Sequence, residues 1–238
     1  MRTWNQYVNS LTNSDRKICQ SIKWTTNNTP LWEHLLNQKE QLYIVSDGSH
    51  RNHSSTYAWI LGTNTNVLAK SSGHVTGNPV NIQRAECVGL WSWLVFLHHH
   101  ISYYGIRIAA ILHCYCDNQT VVRQSQVVIN MVNFNDRMIA NYDIINDIRL
   151  KLSDLRELNN VTIIVEYLPS HPHPDQLNPS QHRAHILHAK ADELANLMHG
   201  YSTTNQYEHH SVTLLCALRE GDVLCTGNEL HRLGLKFT

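Results

Sequence analysis

The spacing of apolar and polar residues divides this chain into three parts. Residues 1–40 are polar with isolated Trp4, Trp24 and Trp32; Ser14 is placed to cap a short helix running through Lys23, and Pro30 opens another segment. From Gln41 the pattern turns strand-like. QLYIVSDGS is rich in β-branched and aromatic residues and closes on Asp-Gly-Ser, which predicts a strand over 41–47. A polar turn, HRNHSS, leads to a second strand at 56–62 (TYAWILG), and the Thr63–Asn66 turn to a third at 67–75 (VLAKSSGHV). Strands joined this closely predict an antiparallel meander.

The period then changes. NIQRAECVGLWSWLVFLHHH sets Val88, Trp91 and Val95 at helical spacing and predicts a helix over 81–100, ended by Gly105. IRIAAILHCYCD (106–117) is continuously apolar, as a central strand is, and a helix starts beyond it with Asp117 or Asn118 as N-cap. A longer helix over 137–158 carries the stripe Ile144, Ile148, Leu152 and Leu155. VTIIVEYL predicts a strand at 161–168; a Pro- and His-rich loop follows, PSHPHPDQLNPSQHRAH, then a helix over 186–198. The remainder, 201–238, holds two short strand-like pieces, VTLLC and GDVLC, and a short terminal helix. This order predicts an α/β domain over 41–200, with an N-terminal extension (1–40) and a C-terminal tail (201–238). Its core is a five-stranded mixed sheet flanked by helices, antiparallel at one edge and parallel inside.

Composition narrows the class. Hydrophobic residues make up 42% of the chain, enough for a core. No long uncharged apolar run suggests a membrane span, and MRTWNQYVNS lacks the apolar centre of a signal peptide, so an intracellular protein is expected. A formal net charge of zero argues against a non-specific nucleic-acid binder held by a basic field, without excluding a local groove. The six cysteines are scattered, so structural thiols are expected rather than a zinc site. His98-His99-His100 ends an apolar helical pattern and is read as a helix C-terminus rather than a metal box.

The acids carry the chemistry. Between Gln41 and Thr120 the only acidic residues are Asp47, Glu86 and Asp117. Asp47 is read at a strand end, on the face of Tyr43 and Val45, where a carboxylate is costly to bury unless something cationic shares the site. Asp117 follows the central strand, Glu86 lies early in helix 81–100, and Asp192 lies on the last helix. Each alone is also a turn former, a cap or a solvated helix residue. If the strands bearing Asp47 and Asp117 are adjacent and parallel, however, those two meet, and the helices can each add another acid. Clustered carboxylates repel, divalent cations relieve the repulsion, and hard oxygen donors suit Mg²⁺ or Mn²⁺. Two such ions, about 4 Å apart, clamp an in-line phosphoryl displacement.

The segments IVSDGS, QRAECVGL, CDNQTVV and HAKADELAN stand in the order found in type 1 ribonuclease H domains. Over about residues 41–200 the chain resembles one, of the kind retroelements encode. The resemblance implies a ribonuclease H-like fold and an endonuclease that hydrolyses the RNA strand of RNA–DNA hybrids, leaving a 3′-hydroxyl and a 5′-phosphate. It implies two Mg²⁺ ions, with Mn²⁺ as a substitute, held by Asp47, Glu86, Asp117 and Asp192. It further implies that His171, in EYLPSH, is the family's mobile histidine of proton transfer and product release; His173, His185 and His188 are alternatives. Gln119 matches a position that contacts nucleic acid, with Gly48, Ser49 and Asn118 beside it in the substrate groove. The absence of a Lys/Arg-rich run in 120–160 implies weak substrate affinity. A reverse transcriptase module is the partner implied. Two other readings are a non-catalytic nucleic-acid-binding remnant of a retroelement and a DDE-type transposase or integrase relative. The presence of all four acids counts against the first, and the helices bearing Glu86 and Asp192 fit the second less well.

Overall fold

Residues 2–25, 41–76, 80–105, 110–126, 141–170 and 179–201 are described by a computed structural model, with strand pieces at 206–207, 219–220 and 223–224. The extension begins with α1 (Trp4–Asn9) and α2 (Asn13–Gln20), followed by β1 (Lys23–Trp24). The single helix expected to start at Ser14 and reach Lys23 is corrected in two ways. Thr12 is the cap, its hydroxyl accepting the Asp15 N–H at 3.4 Å, and Lys23 is extended because it pairs with Lys70 on a sheet edge.

The meander is β2 (Tyr43–Arg51), β3 (Ser54–Gly62) and β4 (Val67–Val75). Asn52 and His53 turn the first hairpin with φ of 47° and 64°, the paired positive values of a type I′ turn. The strand bearing Asp47 therefore runs past its expected end. Its ladder with β3 continues through Asp47↔Ala58 to Arg51↔Ser54, so Asp47 is interior to the strand on that side. α3 (Ile82–Tyr104) is capped by the Asn81 side chain, which accepts the Arg84 N–H at 2.7 Å, and ends at Gly105 with φ 63°. The histidine triplet lies inside its last turns rather than at its end.

β5 (Ala110–Cys116) leads through the Asn118 cap into α4 (Gln119–Ser125). α5 (Tyr142–Asn159), β6 (Val161–Tyr167) and α6 (Pro179–Met198) follow. α6 starts before the expected 186, taking in the end of the predicted loop. Proline suits a first helical turn, and Arg183 anchors the early helix by donating to Thr63 O (2.8 Å) and Asn66 O (3.2 Å). In the tail, β7 (Gln206–Tyr207) pairs with β4, and β8 (Arg219–Glu220) pairs with β9 (Val223–Leu224), within GDVLC. VTLLC and the terminal helix lie outside the described residues.

The sheet runs β1-β4-β3-β2-β5-β6. Its expected mixed core is present: β2–β3–β4 antiparallel, β2–β5–β6 parallel. The sixth strand in this order, beyond the five expected, is β1; it and β7 both add to β4. One face packs on α3 and α5, with Ile44, Trp59, Trp93, Phe96, Ile144, Ile148 and Leu155 buried and Leu152 at the margin. Each such aliphatic side chain stabilises by roughly 1.5–3 kcal/mol. The other face sets Tyr43, Val45 and Ile60 against Ala184, Leu187 and Ala191 of α6. Cys19, Cys87, Cys114 and Cys116 are buried free thiols. No helix among the described residues is long and apolar enough to cross a membrane.

Candidate active site

Strand register builds the site. Parallel pairing of β2 with β5 ends at Ser46↔Cys116, so the next residues, Asp47 and Asp117, leave the ladder side by side. Gly48 then admits α3. A Cβ there would stand 2.7 Å from the Glu86 backbone nitrogen and 2.8 Å from Ala85 Cβ, so only glycine lets the helix approach this closely. The same contact delivers Glu86, whose carboxylate hydrogen-bonds to the Gly48 backbone. Buried Arg84 holds that first turn in place: its guanidinium donates to both Asp143 oxygens, at 3.1 and 2.8 Å, and to Thr76 O at 2.9 Å.

Donor atoms of Asp47, Asp117 and His188 lie within 4.8 Å of one another, as do those of Glu86, Cys116 and Asp117. Asp117 belongs to both groups. His188 Nε2 is 3.4 Å from Asp47 Oδ1 and 3.8 Å from Asp117 Oδ2. The Cys116 thiol is directed at Glu86 Oε2 (3.7 Å), and Ser170 donates to Asp117 Oδ2 (3.1 Å). Asp192 stands in neither group. It is exposed on α6 and accepts from Asn196 Nδ2 at 2.7 Å; Asn196 in turn accepts from Ser49 (2.7 Å) and Arg51 (2.9 Å).

The electrostatics are those of anions crowded out of water. Asp47 and Glu86 are 4% and 3% exposed. Burial, then the charges of Asp117 and Asp192, push the Asp47 carboxyl up to about 8, against the Gly48 backbone hydrogen bond. Glu86 is raised well above the usual carboxylate range, by burial first and then by Asp47 and Asp117. His188 is lowered by burial, with Asp117 and Asp192 opposing. Asp47 Oδ2 is buried with no hydrogen-bond partner among the described residues. An orphaned buried carboxylate oxygen, on a side chain whose donor atoms lie close to those of Asp117 and His188, fits a divalent cation.

The structure thus brings Asp47, Glu86 and Asp117 together and leaves Asp192 at the rim, one helical turn beyond His188. Of the expected substrate contacts, Gln119 is exposed at the start of α4, while Asn118 is committed to capping Thr120 and Val121. Gly48 serves the packing of α3, and the Ser49 hydroxyl is bonded to Asn196. His171 and His173 lie outside the described residues; His185 is half-buried on α6. Sequence reasoning missed Cys116, Ser170 and Asn196. The last was legible, since positions 188, 192 and 196 repeat at four-residue spacing and share a helix face.

Fold and site define a class: a mixed α/β domain with a buried carboxylate cluster, suited to a divalent cation, beside the end of a parallel strand pair. No family model matches the chain, and no curated protein matches it. Among solved structures it is similar to the N-terminal RNase H domain of rv2228c from Mycobacterium tuberculosis, at 18% identity and a TM-score of 0.42 over 67% of this chain and 94% of that one. It is similar to RNase H1 from the halophilic archaeon Halobacterium salinarum, at 15% and 0.39 over 65% and 99%. It is also similar to a foamy viral protease-reverse transcriptase in complex with RNA/DNA hybrid, at 14% and 0.44, over 74% of this chain and 22% of that one. These values record a likeness in outline.

Proposed function

We propose that this chain is a metal-dependent endonuclease of the ribonuclease H kind, acting on the RNA strand of RNA–DNA hybrids. The observation that carries the reading is that Asp117 shares one close group of donor atoms with Asp47 and a second with Glu86, with Asp47 Oδ2 buried and unpartnered among the described residues, in a chain whose motifs have the ribonuclease H order. Asp47, Glu86, Asp117 and Asp192 would hold Mg²⁺, as two ions, or Mn²⁺ in its place; the metal supplies charge neutralisation, an activated water and stabilisation of the leaving oxygen. The protein's contribution is to fix its donors in advance. Ser170 holds one Asp117 oxygen, the Cys116 thiol faces Glu86, and the Arg51–Ser49–Asn196 chain of hydrogen bonds steadies Asp192. Gln119, exposed just beyond Asp117, would meet the minor groove, where 2′-hydroxyls distinguish RNA from DNA. His171, next to Ser170 in sequence, is proposed to move the proton to the leaving group. The absence of a Lys/Arg-rich run in 120–160 argues for weak binding by the chain on its own, which a reverse transcriptase module acting alongside would offset.

The test is cleavage of a labelled hybrid with Mg²⁺, beside duplex DNA and duplex RNA of the same sequence. Preferential cutting of the RNA strand in the hybrid, leaving 3′-hydroxyl ends and abolished by EDTA, is expected. Equal rates on hybrid and duplex DNA would move the chain to the transposase and integrase class. Hybrid binding without cleavage under any divalent metal would make it a binding remnant.

A further inference from the structure

We propose that His188 is itself a metal ligand, making this a mixed nitrogen–oxygen centre that selects first-row transition dications, Mn²⁺ among them, over Mg²⁺. The inference rests on the reading of Asp47 and Asp117 as ligands and adds a donor to it. Three features point to the imidazole. Its Nε2 has no hydrogen-bond partner among the described residues, although its side chain is only 12% exposed. It faces Asp47 Oδ1 at 3.4 Å and Asp117 Oδ2 at 3.8 Å. N–H···O bonds run about 2.7–3.2 Å, whereas donors sharing a cation at about 2.1 Å from each stand roughly 3–3.5 Å apart. The first separation lies in that range; a small rotation of the half-buried Asp117 brings in the second. Finally, the Asp47 side chain is more than nine-tenths buried and its Oδ2 has no hydrogen-bond partner among the described residues, an independent sign that this carboxylate is built to meet a cation.

The ring is also held rigidly. Ala184, Leu187 and Ala191 bury the surrounding face of α6 against Tyr43 and Val45, so His188 is carried by packed helix rather than by loop. A nitrogen donor changes which metal the site prefers. Mg²⁺ keeps an octahedral shell of oxygen and gives up water reluctantly; imidazole suits transition metals, and affinity for them rises along the first row.

The experiment uses the full chain with Mn²⁺ as probe, read by electron spin-echo envelope modulation. Modulation from a directly bound ¹⁴N is expected in wild type, lost in His188→Gln and kept in His185→Gln. Uniform [¹⁵N]histidine labelling of the wild type, which needs no substitution, should convert the ¹⁴N pattern to that of ¹⁵N. In competition titrations, the excess of Mg²⁺ needed to displace Mn²⁺ should fall about tenfold in His188→Gln. Absence of nitrogen modulation in wild type, its survival in His188→Gln, or equal Mg²⁺ displacement in the two would overturn the inference. None of these readouts involves cleavage. Hybrid cleavage without nitrogen modulation would sink this inference and leave the proposed activity standing; nitrogen modulation without cleavage would do the reverse.

Discussion

Replacing Asp47 by Asn separates a residue kept for chemistry from one kept for folding. Without metal, burial and the charges of Asp117 and Asp192 raise its carboxyl from 3.8 to about 8. A raised folded-state value means that folding must take up a proton wherever the unfolded chain would release it. The cost is absent below about pH 4, grows as pH rises to about 8, and is constant above. At pH 7 roughly three pH units separate solution from the unfolded value, so at about 1.4 kcal/mol per unit the ceiling is about 4 kcal/mol. Water entry and side-chain rotation reduce this, leaving an expected stabilisation of about 1–3 kcal/mol for Asp47→Asn in EDTA. Little offsets the gain: Oδ2 has no partner among the described residues to lose, and the asparagine Oδ1 can still accept the Gly48 backbone hydrogen bond. For a chain this long that is roughly 2–10 °C in melting temperature. Melts of both proteins in EDTA across pH 4 to 8 should show the gap opening with pH. Saturating Mn²⁺ should then reverse the order, because a ligand at about 100 times its dissociation constant adds about 2.7 kcal/mol to the form that binds it. A variant less stable than wild type in EDTA at pH 7, or a gap independent of pH, would refute the reasoning and make Asp47 a structural residue.

Other outcomes follow from the same packing. Gly48→Ala puts a methyl 2.7 Å from the Glu86 nitrogen, so the first turn of α3 must shift; urea melts should show a loss of about 1–3 kcal/mol, and calorimetry weaker Mn²⁺ binding. Arg84→Ala or Asp143→Ala leaves its partner's charge buried and should cost about 3–5 kcal/mol, while the double variant Arg84→Met with Asp143→Leu recovers most of it in denaturant titrations. His100 is buried among Trp4, Trp24, Phe96 and Tyr104, and burial lowers it from 6.5 to about 4. Its neutral form stabilises the fold above pH 6.5, and that contribution drains away as pH falls towards 4, by up to about 3 kcal/mol. His100→Phe should flatten the acid limb of the stability profile, and an unchanged acid limb would exclude the mechanism.

Much of the architecture was written in local pattern. Runs rich in β-branched and aromatic residues, broken by short polar turns, marked β2, β3 and β4, the stripe Ile144–Ile148–Leu155 marked the buried face of α5, and Gly105 ended α3, because propensity, turns and periodicity act within a few residues. The rarity of acids between 41 and 120 singled out Asp47, Glu86 and Asp117 by the cost of burying charge, before any contact was known. Other features belong to distance across elements. Asp47 is interior to β2 because the hairpin ladder outlasts the parallel one, and the sequence of β2 alone carries no sign of where β5 stops. β1 joins the sheet because β4 offers it an open edge, which a two-residue strand cannot announce. Among several histidines, His188 faces the carboxylates because α6 docks Leu187 and Ala191 on Tyr43 and Val45 in one rotation. Hydrophobic period determines which residues are buried; packing, register and the close approach allowed by Gly48 decide which buried charges share a site.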